Sequence, residues 1–469
     1  MTTSTTRKAL SAEFAAGLSD ILAPEQILSE AADCLAYGYD NSRIQVSPEA
    51  VVFPHDHEQV LAVVQLCNQH HVALTARGRG TGTTGGSVPL RGGVVLSTEQ
   101  MQKVIACHPD DRYITVQPGL SNQAVQEIVA EHGYFWPPDP SSAAYCSIGG
   151  NLAYNSAGPR AVKYGTPREN VLGLRAVTGD GKSIRTGVFT TKGVVGFDFT
   201  RLLIGSEGTL AIITEATLKL TPLAEDKRIL QAIYRDIESA TRAVADIMKQ
   251  PIIPCALEFI DGTAIDLIRK NSDITFPESA GAMLMIELDG AQQHLAADVE
   301  KITTVASNHG LLSLTAAETA EQASALWNAR KALSPALRNV APNKINEDIV
   351  VPVSNIPALI HGLEELSAKH AIPIVNFGHA GNGNIHVNLL YDPENPLQAK
   401  NIDACLSQVF DLTLQLDGSL SGEHGVGISK QAFVARELDA TSLNLMQQIK
   451  NDFDPNNILN PDKLSVAPC

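Results

Sequence analysis

The sequence predicts an α+β protein with at least two domains, and three features of its pattern lead to that prediction. Its 469 residues exceed what a single hydrophobic core usually supports. Between about residues 48 and 222, short apolar strands are separated by glycine-rich turns. From about residue 225 to 420, strands such as the one at 281–288 alternate with amphipathic helices, which favours a separate α+β domain.

The composition narrows the class of protein. An apolar fraction of 44% with 18% charged residues is typical of a globular chain that buries a sizeable core. A formal net charge of −16 argues against nucleic acid or an anionic membrane surface as a partner. No apolar run reaches the roughly 18 residues of a membrane span, and residues 1–8 lack the apolar core of a secretory signal. The seven cysteines are scattered and never spaced as Cys-x-x-Cys, so we expect reduced thiols in the cytoplasm.

Two histidines lie in a glycine-rich stretch between apolar runs. The segment 375–388 predicts strand, tight turn and strand, with His379 on one arm and His386 on the other. Glycine lets the backbone bend sharply, so the two imidazoles could converge on one point. A second glycine-rich run adds Glu423 and His424. Two histidines and a carboxylate suit a divalent metal that keeps positions open for substrate; the alternative is a pair of core histidines in a glycine hairpin.

A glycine-rich loop at residues 77–87 follows a predicted strand at 72–75. Its Gly80-x-Gly82-x-x-Gly85 spacing matches the dinucleotide fingerprint. The Rossmann form of that motif needs a helix to open at the turn, but Pro89 and another strand follow instead. Consecutive backbone N–H groups in such a loop can still cradle a pyrophosphate. The alternative is a plain glycine hairpin.

Several separate motifs carry a resemblance to known flavoproteins. The runs 77–87, 137–158 and 202–222 together resemble the flavin domain of the vanillyl-alcohol oxidase superfamily. The segment 377–388 and the run Gly422-Glu423-His424-Gly425 resemble the FAD-linked D-2-hydroxyacid dehydrogenase branch. That branch includes D-lactate dehydrogenases that do not use nicotinamide, D-2-hydroxyglutarate dehydrogenases and the flavin-binding chain of glycolate oxidase. The resemblance covers roughly residues 48 to 465.

The helical periodicity of residues 10–40 predicts a helical lead-in. Together with the resemblance, it gives an organisation in four segments. They are a helical lead-in at 1–47, a vanillyl-alcohol-oxidase-type FAD-binding domain at 48–224, an α+β substrate or cap domain with an antiparallel sheet and the metal site at 225–420, and a C-terminal segment at 421–469 that returns to the flavin domain.

The resemblance also implies an FAD that is held non-covalently. Covalently flavinylated relatives carry a histidine at the position where this chain has Thr81. The residues expected to contact the FAD are Arg77, Gly78, Arg79, Gly80, Thr81, Gly82, Gly85, Gly86, Ser87, Pro138, Asp139, Ser142, Gly149, Gly150, Asn155, Glu207, Gly208, Ile213 and Asn460.

Substrate contacts are expected on the predicted helix at 316–338. Arg330 and Ser334 are four residues apart and therefore share one face. In relatives the matching arginine and hydroxyl reach the substrate carboxylate; the alternative is an ordinary surface charge. Asn388 is expected as a further hydrogen-bond partner.

The chemistry expected of these residues is the oxidation of a 2-hydroxy acid. A metal at His379, His386 and Glu423, with zinc favoured and manganese or iron also suited, would orient the substrate and lower its hydroxyl pKa. His424 would take the hydroxyl proton as general base. The C2 hydride would pass to the flavin, which carries the redox chemistry.

The identity of the hydroxy acid depends on a lysine. The hydroxyglutarate branch has a lysine two residues before an aspartate that precedes a Val-Pro-like pair. Counting from Asp348, that position is Asn346, and Lys344 is displaced by two, which keeps the same strand face. A buried distal carboxylate needs a cationic partner. The pattern therefore favours D-lactate, with D-2-hydroxyglutarate as the alternative and Lys344 as its candidate ligand.

The electron acceptor and partners are less constrained. We expect a non-nicotinamide acceptor such as a quinone, a cytochrome or an electron-transfer flavoprotein. The competing hypotheses are the flavin-binding chain of a glycolate oxidase complex and a nicotinamide dehydrogenase that uses the glycine fingerprint. A homodimer and peripheral association with the inner membrane both stay open.

Overall fold

The computed structural model describes residues 10–271 and 276–464, so the predictions made for residues 1–9 and 465–469 lie outside the described residues. The chain forms two compact units. The first comprises Met1–Ala157, Gly165–Leu223 and Glu423–Cys469, and the second comprises Gly158–Tyr164 and Ala224–Gly422. The prediction of an α+β protein is confirmed.

The described residues contain fifteen α-helices. In chain order they are α1 (Ala12–Ile21), α2 (Ala31–Cys34), α3 (His57–His70), α4 (Asn122–Ala130), α5 (Ile148–Tyr154), α6 (Ala161–Tyr164), α7 (Phe199–Leu203), α8 (Ile237–Met248), α9 (Gly262–Asn271), α10 (Gln292–Ala306), α11 (Ala320–Ala336), α12 (Ile356–His370), α13 (Pro396–Gln415), α14 (Val434–Glu437) and α15 (Ala440–Phe453).

The strands form the sheets of both units. In chain order they are β1 (Ile27–Leu28), β2 (Ala50–Val52), β3 (Leu74–Arg77), β4 (Val94–Ser97), β5 (Val104–His108), β6 (Tyr113–Val116), β7 (Tyr134–Phe135), β8 (Val171–Thr178), β9 (Ser183–Gly187), β10 (Ala211–Lys219), β11 (Thr221–Pro222), β12 (Asp226–Tyr234), β13 (Ala256–Asp261), β14 (Ala282–Gly290), β15 (Leu311–Ala316), β16 (Asn343–Val350), β17 (Ile374–His379) and β18 (Asn384–Tyr391).

The first unit is built on two main sheets. One has the order β1-β2-β4-β3, in which β2 and β3 both run parallel to β4. The other is antiparallel, with the order β5-β6-β10-β8-β9. Helix α3 begins at the side-chain cap of Asp56 and buries Val60, Val64 and Cys67 in the core of the first sheet.

One prediction for the first unit is wrong in its local detail. The sequence at 10–40 has helical periodicity throughout, but Ile27 and Leu28 form a strand that pairs with Val52 and Val51. The side chain of Gln26 donates to the carbonyl of Phe53, which ties this strand to β2. Long-range pairing therefore overrides the local helical pattern.

The second unit is organised around a seven-stranded antiparallel sheet with the order β15-β12-β14-β13-β17-β18-β16. Helices α9 and α11 cover the face that carries Ile260, Phe377 and Leu390. Helices α8, α10, α12 and α13 also pack against these strands, so every residue of β13 and β17 is buried. The sequence predicts a single helix at 316–338; the structure places β15 just before it, and α11 begins at the side-chain cap of Thr319.

Within the described residues, no helix combines the length and the apolar character that a membrane crossing requires.

The C-terminal residues of the first unit extend its four-stranded sheet. The amide of Leu74 donates to the carbonyl of Ile458, and the amide of Asn460 donates to the carbonyl of Leu74, each at 2.8 Å. The preceding turn is held by Asp454, whose side chain accepts from the amides of Ile458 at 3.0 Å and Leu459 at 2.8 Å and from the ammonium of Lys450. Asp454 is 1% exposed, so no water molecule can take the place of its carboxylate as the acceptor for these donors.

We expect Asp454→Asn to destabilise the first unit by about 1–3 kcal/mol, because an amide nitrogen would then face a backbone donor in a buried site. Thermal unfolding followed by circular dichroism measures the shift in the midpoint temperature of the transition that belongs to the first unit. A protein of two units need not unfold in one step, so this transition is compared separately. The matched control is Asp439→Asn, at the exposed start of α15, where Asn caps as well as Asp. Equal transitions in both variants would contradict this account of the turn.

Candidate functional site

The two candidate histidines face each other across a hairpin of the second unit. His379 ends β17 and His386 lies in β18, with Phe377 directly opposite His386 in the register. Their ring centroids are 5.1 Å apart and the rings are nearly perpendicular. Gly383 makes the turn with φ +76°, and a Cβ there would lie 1.8 Å from the carbonyl oxygen of Val351. The predicted strand, turn and strand are therefore present, with both imidazoles on one face.

A buried carboxylate that the sequence pattern did not single out lies beside His379. Glu258 in β13 is 1% exposed, and its Oε1 is 2.5 Å from Nδ1 of His379. Its Oε2 accepts from Nε of Arg330 at 2.8 Å and forms an ion pair with Nη2 of Arg330 at 2.8 Å. Burial alone would raise the pKa of Glu258, but the positive charges of His379 and Arg330 lower it to about 2. The signal in the sequence is a glutamate in the middle of an otherwise apolar strand, which requires partners.

Arg330 is held over the same sheet face and is not a surface residue. It is 8% exposed, and its guanidinium carbon lies 4.7 Å from the centroid of the Phe377 ring. Nε and one Nη carry the bonds to Glu258, which leaves the other edge of the guanidinium to contact an anion.

Two of the predicted substrate residues contact each other. The ammonium of Lys344 donates to the hydroxyl of Ser334 at 2.8 Å and to its carbonyl oxygen at 3.2 Å. Lys344 lies opposite Leu390, and Asn346 lies opposite Asn388, so Lys344 is one strand step further from His386 than Asn346. The lysine and Asn346 share the face that carries the histidines, as their spacing of two predicts.

Asn388 is fully buried in the hairpin. Its side-chain nitrogen donates to the carbonyls of Val375 and His386, each at 3.1 Å. These bonds connect the Asn388 side chain to the backbones of both β17 and β18. Its Oδ1 accepts no hydrogen bond from the described residues.

The second glycine-rich run leaves the second unit directly beside His386. Asp348 lies opposite His386 in the register and accepts from the amide of Gly422 at both its carbonyl and its Oδ2. Gly422 is the last residue of the second unit, and the next residue in the chain, Glu423, belongs to the first unit. In the first unit, Oε2 of Glu423 accepts from the amide of Ala157 at 3.3 Å, and the carbonyl of His424 accepts from the hydroxyl of Thr84.

The glycine-rich loop of the first unit is held through its backbone carbonyls. Among the described residues, no protein acceptor receives a hydrogen bond from the amides of residues 79–83. Asn41 instead binds the loop's carbonyls, with its amide on Gly82 and its side chain on Thr81. The loop therefore has the form of an anion nest.

The loop also lies against the start of α5. A Cβ on Gly78 would lie 2.4 Å from the hydroxyl oxygen of Ser147, the residue that caps α5, and 3.7 Å from the amide nitrogen of Gly150. Two runs that the resemblance assigns to FAD thus come together, and only glycine fits between them. The helix α5 itself was not predicted.

A buried polar cluster supports the other end of the loop. Asn460 donates to the carbonyls of Gly86 at 2.9 Å and Glu207 at 2.6 Å. The carboxylate of Glu207 accepts from the amides of Val426 and Gly427, yet burial raises its pKa to about 7. Asn460 and Glu207 therefore shape the loop by contacts within the protein.

The remaining candidate FAD residues lie in the first unit, on turns and strands around α5. Asp139 donates its amide to Ala157, the carbonyl of Pro138 accepts from Asn122, and Asn155 ends α5 with φ +56°. Arg77 turns its guanidinium to the carbonyl of Tyr39 at 2.8 Å, so its side chain is already engaged. The others are Arg79, Ser87, Ser142, Gly149, Gly208 and Ile213.

Comparison with known families matches both parts of the chain. The family described as "FAD binding domain" matches residues 48–187, and the family described as "FAD linked oxidases, C-terminal domain" matches residues 223–464.

Similar proteins carry three kinds of name. "Glycolate oxidase subunit GlcD" of Bacillus subtilis is 38% identical over 95% of this chain and 95% of its own length. "D-2-hydroxyglutarate dehydrogenase" of Xanthomonas citri pv. viticola is 34% identical over 94% of each chain. "D-lactate dehydrogenase [cytochrome], mitochondrial" of Arabidopsis thaliana is 33% identical over 89% of this chain and 73% of its own length.

A solved structure shares the fold. 4-Ethylphenol oxidase from Gulosibacter chungangensis superposes with a TM-score of 0.78 at 19% identity, covering 99% of each chain. The prediction of a vanillyl-alcohol-oxidase-type fold is confirmed.

We expect acid precipitation of the purified protein to release all of its flavin into the supernatant, because Thr81 has no imidazole to form a covalent link. Absorbance spectra of the supernatant and pellet measure the two fractions. Colour that stays in the pellet would contradict non-covalent binding.

Proposed function

The chain belongs to the FAD-linked oxidase family, and from this premise we propose that it oxidises a D-2-hydroxy acid, with D-lactate favoured, to the 2-oxo acid. The observation that carries the proposal is the buried face of the second unit, where the two histidines of the β17–β18 hairpin share a face with Glu258 of the neighbouring strand, and Glu258 joins His379 to Arg330 of helix α11. An anion-binding guanidinium beside two imidazoles suits a substrate that has a carboxylate next to a hydroxyl.

The first unit would hold the FAD. The amides of residues 79–83, which donate to no acceptor among the described residues, fit a pyrophosphate, and a Cβ at Gly78 would lie 2.4 Å from the hydroxyl oxygen of Ser147. When bound, FAD supplies a hydride acceptor. The chain's own contribution is the loop, which binds and orients the cofactor without a covalent bond.

His379, His386 and Glu423 would hold a divalent metal, with zinc favoured and manganese or iron also suited. The two imidazoles fit such an ion, since both are buried and Nδ1 of His379 is bonded to a carboxylate. Glu423 follows Gly422 in the chain, and the amide of Gly422 donates to Asp348, which lies opposite His386 in the register. A bound ion would supply a Lewis acid for the substrate hydroxyl.

The remaining roles belong to side chains of this protein. Arg330 would bind the substrate carboxylate with the edge of its guanidinium that Glu258 leaves uncovered. Ser334 and Asn388 would add hydrogen bonds. His424, next to Glu423, would take the hydroxyl proton as general base.

The preference for a short hydroxy acid rests on Lys344. Its ammonium is bonded to Ser334, and Asn346 occupies the strand position nearer to His386. A second carboxylate would need a cation nearer to the site. D-2-hydroxyglutarate stays the alternative, because Lys344 shares the face and has a long side chain.

We propose a non-nicotinamide acceptor, such as a quinone, a cytochrome or an electron-transfer flavoprotein. The six cysteines of the described residues are free thiols, which supports a cytoplasmic setting. A second candidate function is the flavin-binding chain of a glycolate oxidase complex, favoured by the similarity to the Bacillus subtilis protein. Dye reduction by the purified single chain with D-lactate supports the dehydrogenase, and dye reduction that requires added partner chains supports the glycolate oxidase complex.

We expect His379→Ala and His386→Ala each to lower kcat by at least about 10²–10³-fold while FAD stays bound, because the histidines lie outside the FAD loop. A chelator should inactivate the wild type, and a divalent ion should restore it. The matched control is His361→Ala, an exposed histidine of α12 in the same unit. Full activity in a preparation shown to be metal-free would contradict the metal proposal.

We expect kcat/KM to be higher for D-lactate than for D-2-hydroxyglutarate. Arg330→Ala should lower both values, by about a hundredfold, because both substrates carry the carboxylate next to the hydroxyl. Lys344→Ala should leave the D-lactate value nearly unchanged, and Lys331→Ala, exposed on α11, is the control. A hundredfold preference for D-2-hydroxyglutarate that Lys344→Ala removes would instead identify that substrate.

A further inference from the structure

We propose that Glu258 is a positioning residue that sets the orientation of both His379 and Arg330 for the reaction. This inference rests on the proposed function, because it assigns a role to the residue that joins the metal ligand and the anion clamp.

The geometry gives Glu258 two separate tasks, one for each carboxylate oxygen. Oε1 is 2.5 Å from Nδ1 of His379, and Oε2 accepts from Nε of Arg330 and lies 2.8 Å from its Nη2 in an ion pair. Strand β13 is paired on one side with β14 and on the other with β17. The carboxylate therefore has a fixed backbone and negligible exposure, so it cannot be replaced by a neighbour or by water.

The bond to His379 decides which ring nitrogen is available. A carboxylate only accepts, so Nδ1 carries a proton and donates in the charged and in the neutral ring; in the neutral ring, the form that binds an ion, Nε2 is then the nitrogen without a proton. A carboxylate behind a metal-binding histidine fixes its tautomer and ring plane.

The bond to Arg330 decides which edge of the guanidinium faces the substrate. Glu258 occupies the edge formed by Nε and Nη2, while the ring of Phe377 supports the plane at 4.7 Å. The substrate carboxylate is then met by the opposite edge. Because one side chain holds both groups, their relative position is set by a single carboxylate.

Glu258→Gln makes a sharp test because the glutamine amide has one oxygen for two partners that both donate to the carboxylate. Arg330 has only donors, so the glutamine must turn its oxygen to Arg330 and its NH₂ to His379. Nδ1 of His379 then accepts, and the ring proton moves to Nε2. The fold has an isosteric side chain in place, but the histidine has the wrong tautomer.

The matched control is Glu287→Gln. Glu287 lies on the neighbouring strand β14, is 5% exposed, shares the sheet face with Glu258 and accepts from Nε1 of Trp327 at 2.8 Å. The contact with Trp327 involves neither His379 nor Arg330. The Glu287→Gln variant therefore measures the general effect of removing a buried carboxylate from this sheet.

The experiment measures zinc retention, the binding of oxalate and the protonation of the His379 ring. We expect Glu258→Gln to bind zinc about 10–100-fold more weakly in competition with a chelator. It should also bind oxalate, followed by the flavin spectrum, more weakly than the wild type. Both values should stay near wild type in Glu287→Gln, with equal flavin content in all three proteins.

Ring ¹⁵N spectra of metal-free protein labelled at histidine keep the inference separate from the proposed function, with His379 assigned by comparison with His379→Asn. The wild type should carry the proton on Nδ1 of His379, and Glu258→Gln should move it. A wild-type His379 without a proton on Nδ1 would overturn the inference, and so would equal zinc and oxalate binding in Glu258→Gln and wild type. A wild type that shows this tautomer but retains no zinc would refute the metal proposal and leave the role of Glu258 on His379 standing.

Discussion

The constraint on which the second unit depends is the burial of the charged Glu258 side chain in the middle of a sheet. An isolated carboxylate there would be very costly, so it must be matched by positive or donating groups in good geometry. His379 and Arg330 supply them from opposite directions, one from the neighbouring strand and one from helix α11. The carboxylate thereby joins the hairpin, the helix above it and the sheet into a single arrangement. The residues proposed to bind metal and substrate are held by the same contacts that make the carboxylate tolerable.

In the first unit, the glycine-rich loop at 77–87 keeps backbone N–H groups without protein acceptors among the described residues, while other contacts hold the loop in place. Asn41 binds the carbonyls of the loop, Asn460 binds the carbonyl of Gly86, and the glycine at 78 packs against Ser147. Because the carbonyls are satisfied within the protein, the amides of residues 79–83 can face an anion. A Cβ at position 78 would lie 2.4 Å from the hydroxyl oxygen of Ser147, so a side chain there would disturb the packing of the loop against the start of α5.

The sequence predicts local features of these sites better than it predicts their long-range partners. The hairpin at 375–388 is predictable because the apolar arms have period two and Gly383 needs a positive φ that other residues rarely adopt. The shared face of Lys344 and Asn346 follows from the same period. The partnership of Glu258 with Arg330 is not predictable in that way, since the two are separated by 72 residues and meet only when α11 packs on the sheet. The bond between Lys344 and Ser334 has the same origin, and the strand at Ile27–Leu28 shows pairing overriding a helical pattern.

The most direct test of the account is an anaerobic titration of the purified single chain, with its FAD and metal, using D-lactate and L-lactate in parallel. Flavin absorbance reports the transfer of the hydride without any acceptor or partner chain. The account predicts stoichiometric bleaching by the D-isomer and negligible bleaching by the L-isomer. Full bleaching by L-lactate, or none by D-lactate, D-2-hydroxyglutarate or glycolate, would contradict it.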